Sequence, residues 1–155
     1  MNCVICGGNA VAVVEQKQAR YRDEVVEVSR EFFRCESCQE EFVTPKQHGV
    51  YVAAVKNEVR RRHGLLSPER IIQIRKKLGL TQAEIEELLN AGPKVVVRWE
   101  SGKVIQSGSH DNMLRLLERD PSLIEHLRQI QQAKSTEQEQ YASSRSRPKT
   151  QEACA

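Results

Sequence analysis

Cysteine spacing carries the clearest chemistry in this chain. Four of its five cysteines form two pairs, Cys3-Val4-Ile5-Cys6 and Cys35-Glu36-Ser37-Cys38. A C-x-x-C knuckle turns two sulfurs toward one centre, and two knuckles supply the four thiolates that a tetrahedral zinc ion prefers. Twenty-eight residues separate the pairs, so a hairpin has to bring Cys35 back beside Cys6. Two disulfides or a redox dithiol are the competing readings. A reducing cytosol disfavours the first, and the second ordinarily uses one pair. A rubredoxin-like iron site is a further alternative: Cys6-Gly7-Gly8 suits it, whereas Cys38-Gln39-Glu40 lacks the glycine. One zinc per chain on Cys3, Cys6, Cys35 and Cys38 is the expected cofactor, with Cys154 a free thiol.

The elements that must position these sulfurs are short strands. Val11–Glu15 and Val25–Phe33 are rich in β-branched residues, and Val26, Val28 and Phe32 alternate with Glu27, Ser29 and Glu31. That is the period of a half-buried strand. Arg20-Tyr21-Arg22-Asp23 provides the turn. From Pro45 the period becomes helical, with Val52, Val55 and Val59 on one stripe and Lys56, Arg60, Arg61 and Arg62 mostly off it, until Gly64. Five short helices follow. They begin at Ser67-Pro68-Glu69, at the capping box Thr81–Glu84, at Pro93, at Asp111 and after Asp120-Pro121. Residues 132–155 hold almost nothing apolar and are expected to be a disordered tail. The expected fold is α+β in two domains. Residues 1–64 form a small β domain with a helix, stapled by zinc on four cysteines, and residues 65–131 an all-α five-helix helix-turn-helix domain.

Net charge is only +3, but it is unevenly spread: −3 over residues 1–43, +4 over 44–67, and +1 in each of 68–131 and 132–155. Four thiolates around a zinc ion would take the first stretch to −5. An acidic head favours a basic protein partner and repels phosphate, while the stretches beyond it leave nucleic acid open. No run approaches the roughly 18 consecutive apolar residues of a membrane span, and Met1-Asn2-Cys3 opens no signal-peptide pattern. A cytoplasmic protein without a membrane partner is expected. His48, His63, His110 and His126 are scattered, and no Ser/His/Asp set or phosphate-cradling glycine loop accompanies them, so no enzymatic activity is expected.

Thr81–Leu89 and Pro93–Glu100, joined by Asn90-Ala91-Gly92, have helix-turn-helix proportions. With Val96 and Trp99 facing inward, Lys94, Val97 and Arg98 face out. Arg98 suits a bidentate contact to guanine, Lys94 a base or phosphate, Val97 a thymine methyl group, and Gln82 a phosphate beside the helix-terminal amides.

Leu80-Thr81-Gln82 and Val97-Arg98-Trp99-Glu100-Ser101-Gly102 resemble the Cro/repressor-like (XRE) helix-turn-helix family, where L-T-Q opens helix 2 and R-[WY]-E-x-G closes helix 3. With both cysteine knuckles upstream, the chain resembles the MqsA (YgiT-type zinc finger/helix-turn-helix) antitoxin family of bacteria over about residues 1–131. The resemblance implies an N-terminal zinc domain that masks a toxin, typically a basic mRNA-cleaving RNase. It also implies a C-terminal domain that dimerises and represses its own operon at a palindromic operator. The zinc ligands would be Cys3, Cys6, Cys35 and Cys38, and Arg98 the base-reading arginine. Lys94 stands where the family usually has Asn, which predicts a different operator. Glu86 replaces a customary small residue, and Asn90-Ala91-Gly92 lengthens the turn; both bear on the helix crossing angle. A stand-alone zinc-containing transcriptional regulator with no toxin partner is the alternative function.

Overall fold

The computed structural model describes residues 1–145. A three-stranded antiparallel sheet is built from β1 (Ala10–Tyr21), β2 (Glu24–Cys35) and β3 (Glu41–Phe42), in that spatial order. Six helices follow: α1 (Pro45–Arg62), α2 (Pro68–Lys77), α3 (Gln82–Leu88), α4 (Val95–Glu100), α5 (Gly108–Arg119) and α6 (Leu123–Arg145).

The hairpin pairs Ala10 with Cys35 at its open end and Tyr21 with Glu24 at its turn, where Arg22 takes a left-handed φ of 54°. This register returns the second knuckle to the first. As the alternation predicts, Val26, Val28 and Phe32 are buried while Glu27, Ser29 and Glu31 face water. β1 runs six residues beyond the expected Glu15. Its far half is polar and carries no apolar period; the backbone ladder sustains it, helped by cross-strand pairs such as Gln16 Nε2 to Ser29 Oγ at 2.8 Å. The short β3 was not expected, and the Phe33–Phe42 ring stack fastens it to β2.

Two hydrophobic clusters organise the described residues. One joins Val26 and Val28 of β2 to Val55 and Val59 of α1, and to Ile105 from beyond α4. The other gathers the inner faces of α2 to α5 around Ile71, Ile74, Ile85, Val96, Trp99 and Leu114. The joint between them sits in both: Leu65 packs against the first cluster and Leu66 is buried in the second. The joint backbone is held as well. Leu66 N donates to Asp111 Oδ1 at 2.7 Å, Gln106 Nε2 donates to Leu66 O at 2.8 Å, and Arg115 Nη2 donates to Gly64 O at 2.8 Å.

Four further details depart from the sequence-based expectation. α4 begins at Val95 rather than Pro93, because Lys94 sits at the N-cap with a left-handed φ of 60° and Pro93 lies outside the helix. α5 begins at Gly108, capped by Ser107, which makes Asp111 a buried first-turn acid. Arg60 does not lie off the apolar stripe: residues near Val104 cover it, and only 3% of it is exposed. Finally, α6 continues to Arg145, so 132–145 are helical rather than disordered. Gln131 Nε2 anchors the helix on Glu87 O at 2.6 Å and Leu88 O at 3.0 Å. Past that anchor, residues 132–142 are exposed, and Gln, Ala, Lys and Glu favour the helix by propensity. The rest of the expected tail, with Cys154, lies outside the described residues.

Candidate metal centre and nucleic-acid interface

Each knuckle is a tight turn closed by a residue with positive φ. In the first, Cys3 N donates to Gly8 O at 2.7 Å and Gly7 N to Cys3 O at 3.0 Å, with Gly7 at φ 73°. In the second, Cys35 N donates to Glu40 O at 2.9 Å and Gln39 N to Cys35 O at 3.0 Å, with Gln39 at φ 60°. Gln39 thus adopts the conformation that Gly7 supplies in the first turn, and the missing glycine does not spoil the second knuckle. Glu36 N donates to Asn9 O at 2.9 Å and ties the turns together. Gly8 sits where they meet. A Cβ there would lie 2.6 Å from Ser37 Oγ and 3.3 Å from Cys6 Sγ.

The result gathers the four predicted cysteines. Cys3 Sγ lies 3.7 Å from Cys38 Sγ and Cys6 Sγ 3.5 Å from Cys35 Sγ, with all four sulfurs within 4.8 Å of one another. Metal–sulfur bonds of about 2.3 Å in a tetrahedron place sulfurs about 3.8 Å apart, so the set fits a single metal ion. All four cysteines are free thiols, Cys3 and Cys35 buried, Cys6 and Cys38 exposed. The amides of Ile5 and Gly8 point at Cys3 and Cys6 Sγ, each at 3.4 Å. The Cys35 thiol is lowered to about 6, chiefly by the Cys38 amide, against burial and with help from the Ser37 amide. Although the Glu40 amide favours its thiolate, Cys38 is pushed up to about 12 by Cys6, burial, Cys35 and Cys3. The first thiolate forms readily and then opposes the next; a cation at the centre removes that opposition.

The second candidate site rests on α3 and α4. Thr81 Oγ1 accepts from Glu84 N at 3.2 Å while Glu84 Oε2 accepts from Thr81 N at 2.7 Å, the reciprocal capping box that starts α3. Trp99 and Val96 bury the inner face of α4. Glu100 is tied to α2 through Arg75, whose Nη2 donates to Oε2 at 3.1 Å, and to α3 through Gln82 Nε2 at 2.6 Å. Burial alone would raise the Glu100 carboxyl, but Arg75 and Gln82 hold it below the ordinary carboxylate range. Gly102 then leaves the helix at φ 70°. Each residue of Arg98-Trp99-Glu100-Ser101-Gly102 therefore has a distinct surrounding, with Trp99 in the core, Glu100 in a buried ion pair, Ser101 at the C-cap, Gly102 in the left-handed turn and Arg98 facing out.

Lys94, Val97 and Arg98 are exposed on one side, as expected, although Lys94 stands at the cap rather than on the helix. Gln82 is half-buried and commits one N–H donor to Glu100, so it braces α4 as well as flanking it. Two contributors were not anticipated from sequence. Glu86 reaches across from α3 and accepts from Lys94 N at 3.0 Å and Val96 N at 2.9 Å. Its replacement of a small residue was the signal. Arg75 was the other, and nothing in its local sequence marks it as the partner of Glu100.

The family model that describes MqsA, the antitoxin component of a bacterial toxin–antitoxin system, matches residues 1–128. The chain belongs to the MqsA antitoxin family. It is 30% identical over 95 residues to antitoxin MqsA of Escherichia coli (strain K12), a span covering 61% of this chain and 72% of that protein. It is also similar to antitoxin HigA-2 of Vibrio cholerae serotype O1 (strain ATCC 39315 / El Tor Inaba N16961), 25% identical over 109 residues, covering 70% of this chain and 97% of that one. The MqsA match takes in the four cysteines and all of α1 to α5. Among the described residues, no helix is long and apolar enough to cross a membrane.

Proposed function

We propose that this protein is the antitoxin of a type II pair and the repressor of its own operon. In this reading residues 1–64 bind one zinc ion through Cys3, Cys6, Cys35 and Cys38 and neutralise a basic, mRNA-cleaving toxin in the cytoplasm. Residues 65–131 dimerise and bind a palindromic operator through Lys94, Val97 and Arg98, with Gln82 beside the phosphate backbone. The observation that carries it is the pairing, in one chain of this family, of a four-sulfur cluster with a helix whose exposed face is Lys94, Val97 and Arg98. The acidic charge of residues 1–43 supports a cationic partner, and Val4 and Ile5 offer it an apolar tip, 71% and 70% exposed on the first knuckle. Ile130, half exposed beside a groove of about 760 Å³ that Met113 and Leu127 also line, supports pairing of two copies.

The test joins two measurements on the full chain. Mobility shifts compare DNA from upstream of its own gene with a shuffled duplex, and co-expression with the neighbouring gene product scores growth rescue and co-purification. Selective DNA retention, a captured basic partner and one zinc per chain are expected. Equal retention of both duplexes would overturn the repressor reading. Selective retention with no captured partner would instead leave a stand-alone zinc-containing regulator.

A further inference from the structure

Arg60 is the most unusual charge in the molecule. It is only 3% exposed, and among the described residues no carboxylate pairs with it. Nη1 donates to Asn57 Oδ1 at 3.1 Å, Nη2 donates to Val104 O at 3.1 Å, and Nε is buried without an acceptor. Burial lowers its pKa, and the more distant Tyr21 and Glu69 offset this only in part. A cation taken out of water without a counter-charge in contact costs stability, and an apolar side chain of similar volume is often better tolerated. A stability role therefore does not explain it.

Its contact does. Val104, whose carbonyl Arg60 holds, donates its own N–H to Arg98 O at 3.1 Å. One residue thus links the guanidinium of α1 to the backbone of the residue that faces outward from α4. One turn earlier on α1, Lys56 Nζ donates to Lys103 O at 2.7 Å, the carbonyl just before. Next along the chain, Ile105 is buried among Val26, Val28, Val55 and Val59. The segment leaving α4 is thereby gripped at three successive residues by α1 and the sheet.

We infer that Arg60 is a positioning residue for DNA recognition: through Val104 it sets the carboxyl end of α4 and hence where Arg98 is presented. The inference rests on the proposed operator-binding role of α4. It makes α1, which lies between the cysteine module and the helical core, part of the reading apparatus without touching DNA.

Arg60→Met in the full, metal-loaded chain tests it, with Arg60→Lys as the conservative variant. The readouts are thermal midpoint, amide exchange at Val104, and affinity for upstream and shuffled duplexes. Arg60→Met is expected to keep or raise the midpoint, speed Val104 exchange roughly ten-fold, and lower the upstream-to-shuffled ratio roughly ten-fold. Arg60→Lys, which keeps a donor for Val104 O, should recover most of both losses. Lys56→Met, which removes only the neighbouring bond, should shift exchange and ratio the same way by less. Unfolding or a lowered midpoint in Arg60→Met would reduce Arg60 to a structural residue and overturn the inference, as would unchanged Val104 exchange or an unchanged duplex ratio. If the unmodified chain does not discriminate the duplexes, the proposed function fails on its own, and Val104 exchange still decides whether the grip exists.

Discussion

The Glu86 carboxylate of α3 caps the Val96 amide of α4, 2.9 Å away, and takes the Lys94 amide at 3.0 Å with its other oxygen. Helix starts leave amides unsatisfied, and a side chain at the N-cap normally accepts one of them. Here the N-cap is Lys94, which has no acceptor and makes no side-chain cap. The neighbouring helix supplies the missing oxygen instead. An anion at a helix start also suits the positive end of its dipole. The acidic residue at position 86 and the lysine at position 94 therefore belong together: one compensates for what the other cannot do.

Replacing Glu86 with Ala should cost about 1 kcal/mol, the usual effect of a lost cap. Glu86→Gln keeps one good acceptor oxygen and should fall between. Urea unfolding gives the stability, and amide exchange at Val96 gives the local effect. An Ala variant with unchanged exchange at Val96 would show that α4 does not need this oxygen.

Arg98→Ala should remove about 1–3 kcal/mol of discrimination between upstream and shuffled duplexes while changing affinity for shuffled DNA much less. Titration of both duplexes at fixed salt measures this. A uniform loss on the two, with a shallower salt dependence, would make Arg98 a phosphate contact instead.

Gly8→Ala should open the gap between the knuckles, since its Cβ would sit 2.6 Å from Ser37 Oγ. Metal affinity should fall roughly 10–100-fold, the range seen when groups supporting the ligands are disturbed. Ser37→Gly in the same chain removes the obstructing hydroxymethyl and should restore part of it. Competition with a chelating dye reads both. An Ala variant that binds metal as tightly as the parent would sink the steric argument.

Acid should loosen the helical core. Glu100 is held low by Arg75 and Gln82 against burial. Asp111 is held low, also against burial, by Arg115, the Leu66 amide and Gln106. Both titrate lower folded than unfolded, where carboxyls sit near about 4. Their contribution is thus complete above roughly pH 5 and lost as pH falls through the folded values. Trp99, the single tryptophan, lies in that core and reports on it by fluorescence. Its thermal midpoint should hold from about pH 7 to 5 and drop below about 4, and Asp111→Asn should flatten the drop. A parent midpoint that is flat from about pH 5 to 3 would contradict this.

Much of the architecture was legible because its causes are local. The alternation of Val26, Val28 and Phe32, the caps Ser67 and Thr81, and the closing turns at Gly79 and Gly102 each act within a few residues, and the structure has them as read. The four cysteines were legible because thiolate spacing is itself the chemistry. What stayed hidden depends on distant partners. Nothing near Arg60 announces that Val104 will cover it, and nothing near Val26 announces Ile105. Helical period placed Lys94 on α4, but the left-handed φ at that position moved the helix start beyond it. The extension of α6 escaped notice because a helix without an apolar face leaves no period to detect.

The pair Leu65-Leu66 has a consequence for anyone wishing to recombine the parts of this protein. Adjacent side chains pack against different hydrophobic clusters, so the backbone between them admits no change of length. Adding or deleting one residue there would swing each leucine toward the wrong partner set and unseat both at once. A chimera that swaps the cysteine-bearing head should therefore be cut on either side of the pair and carry it intact.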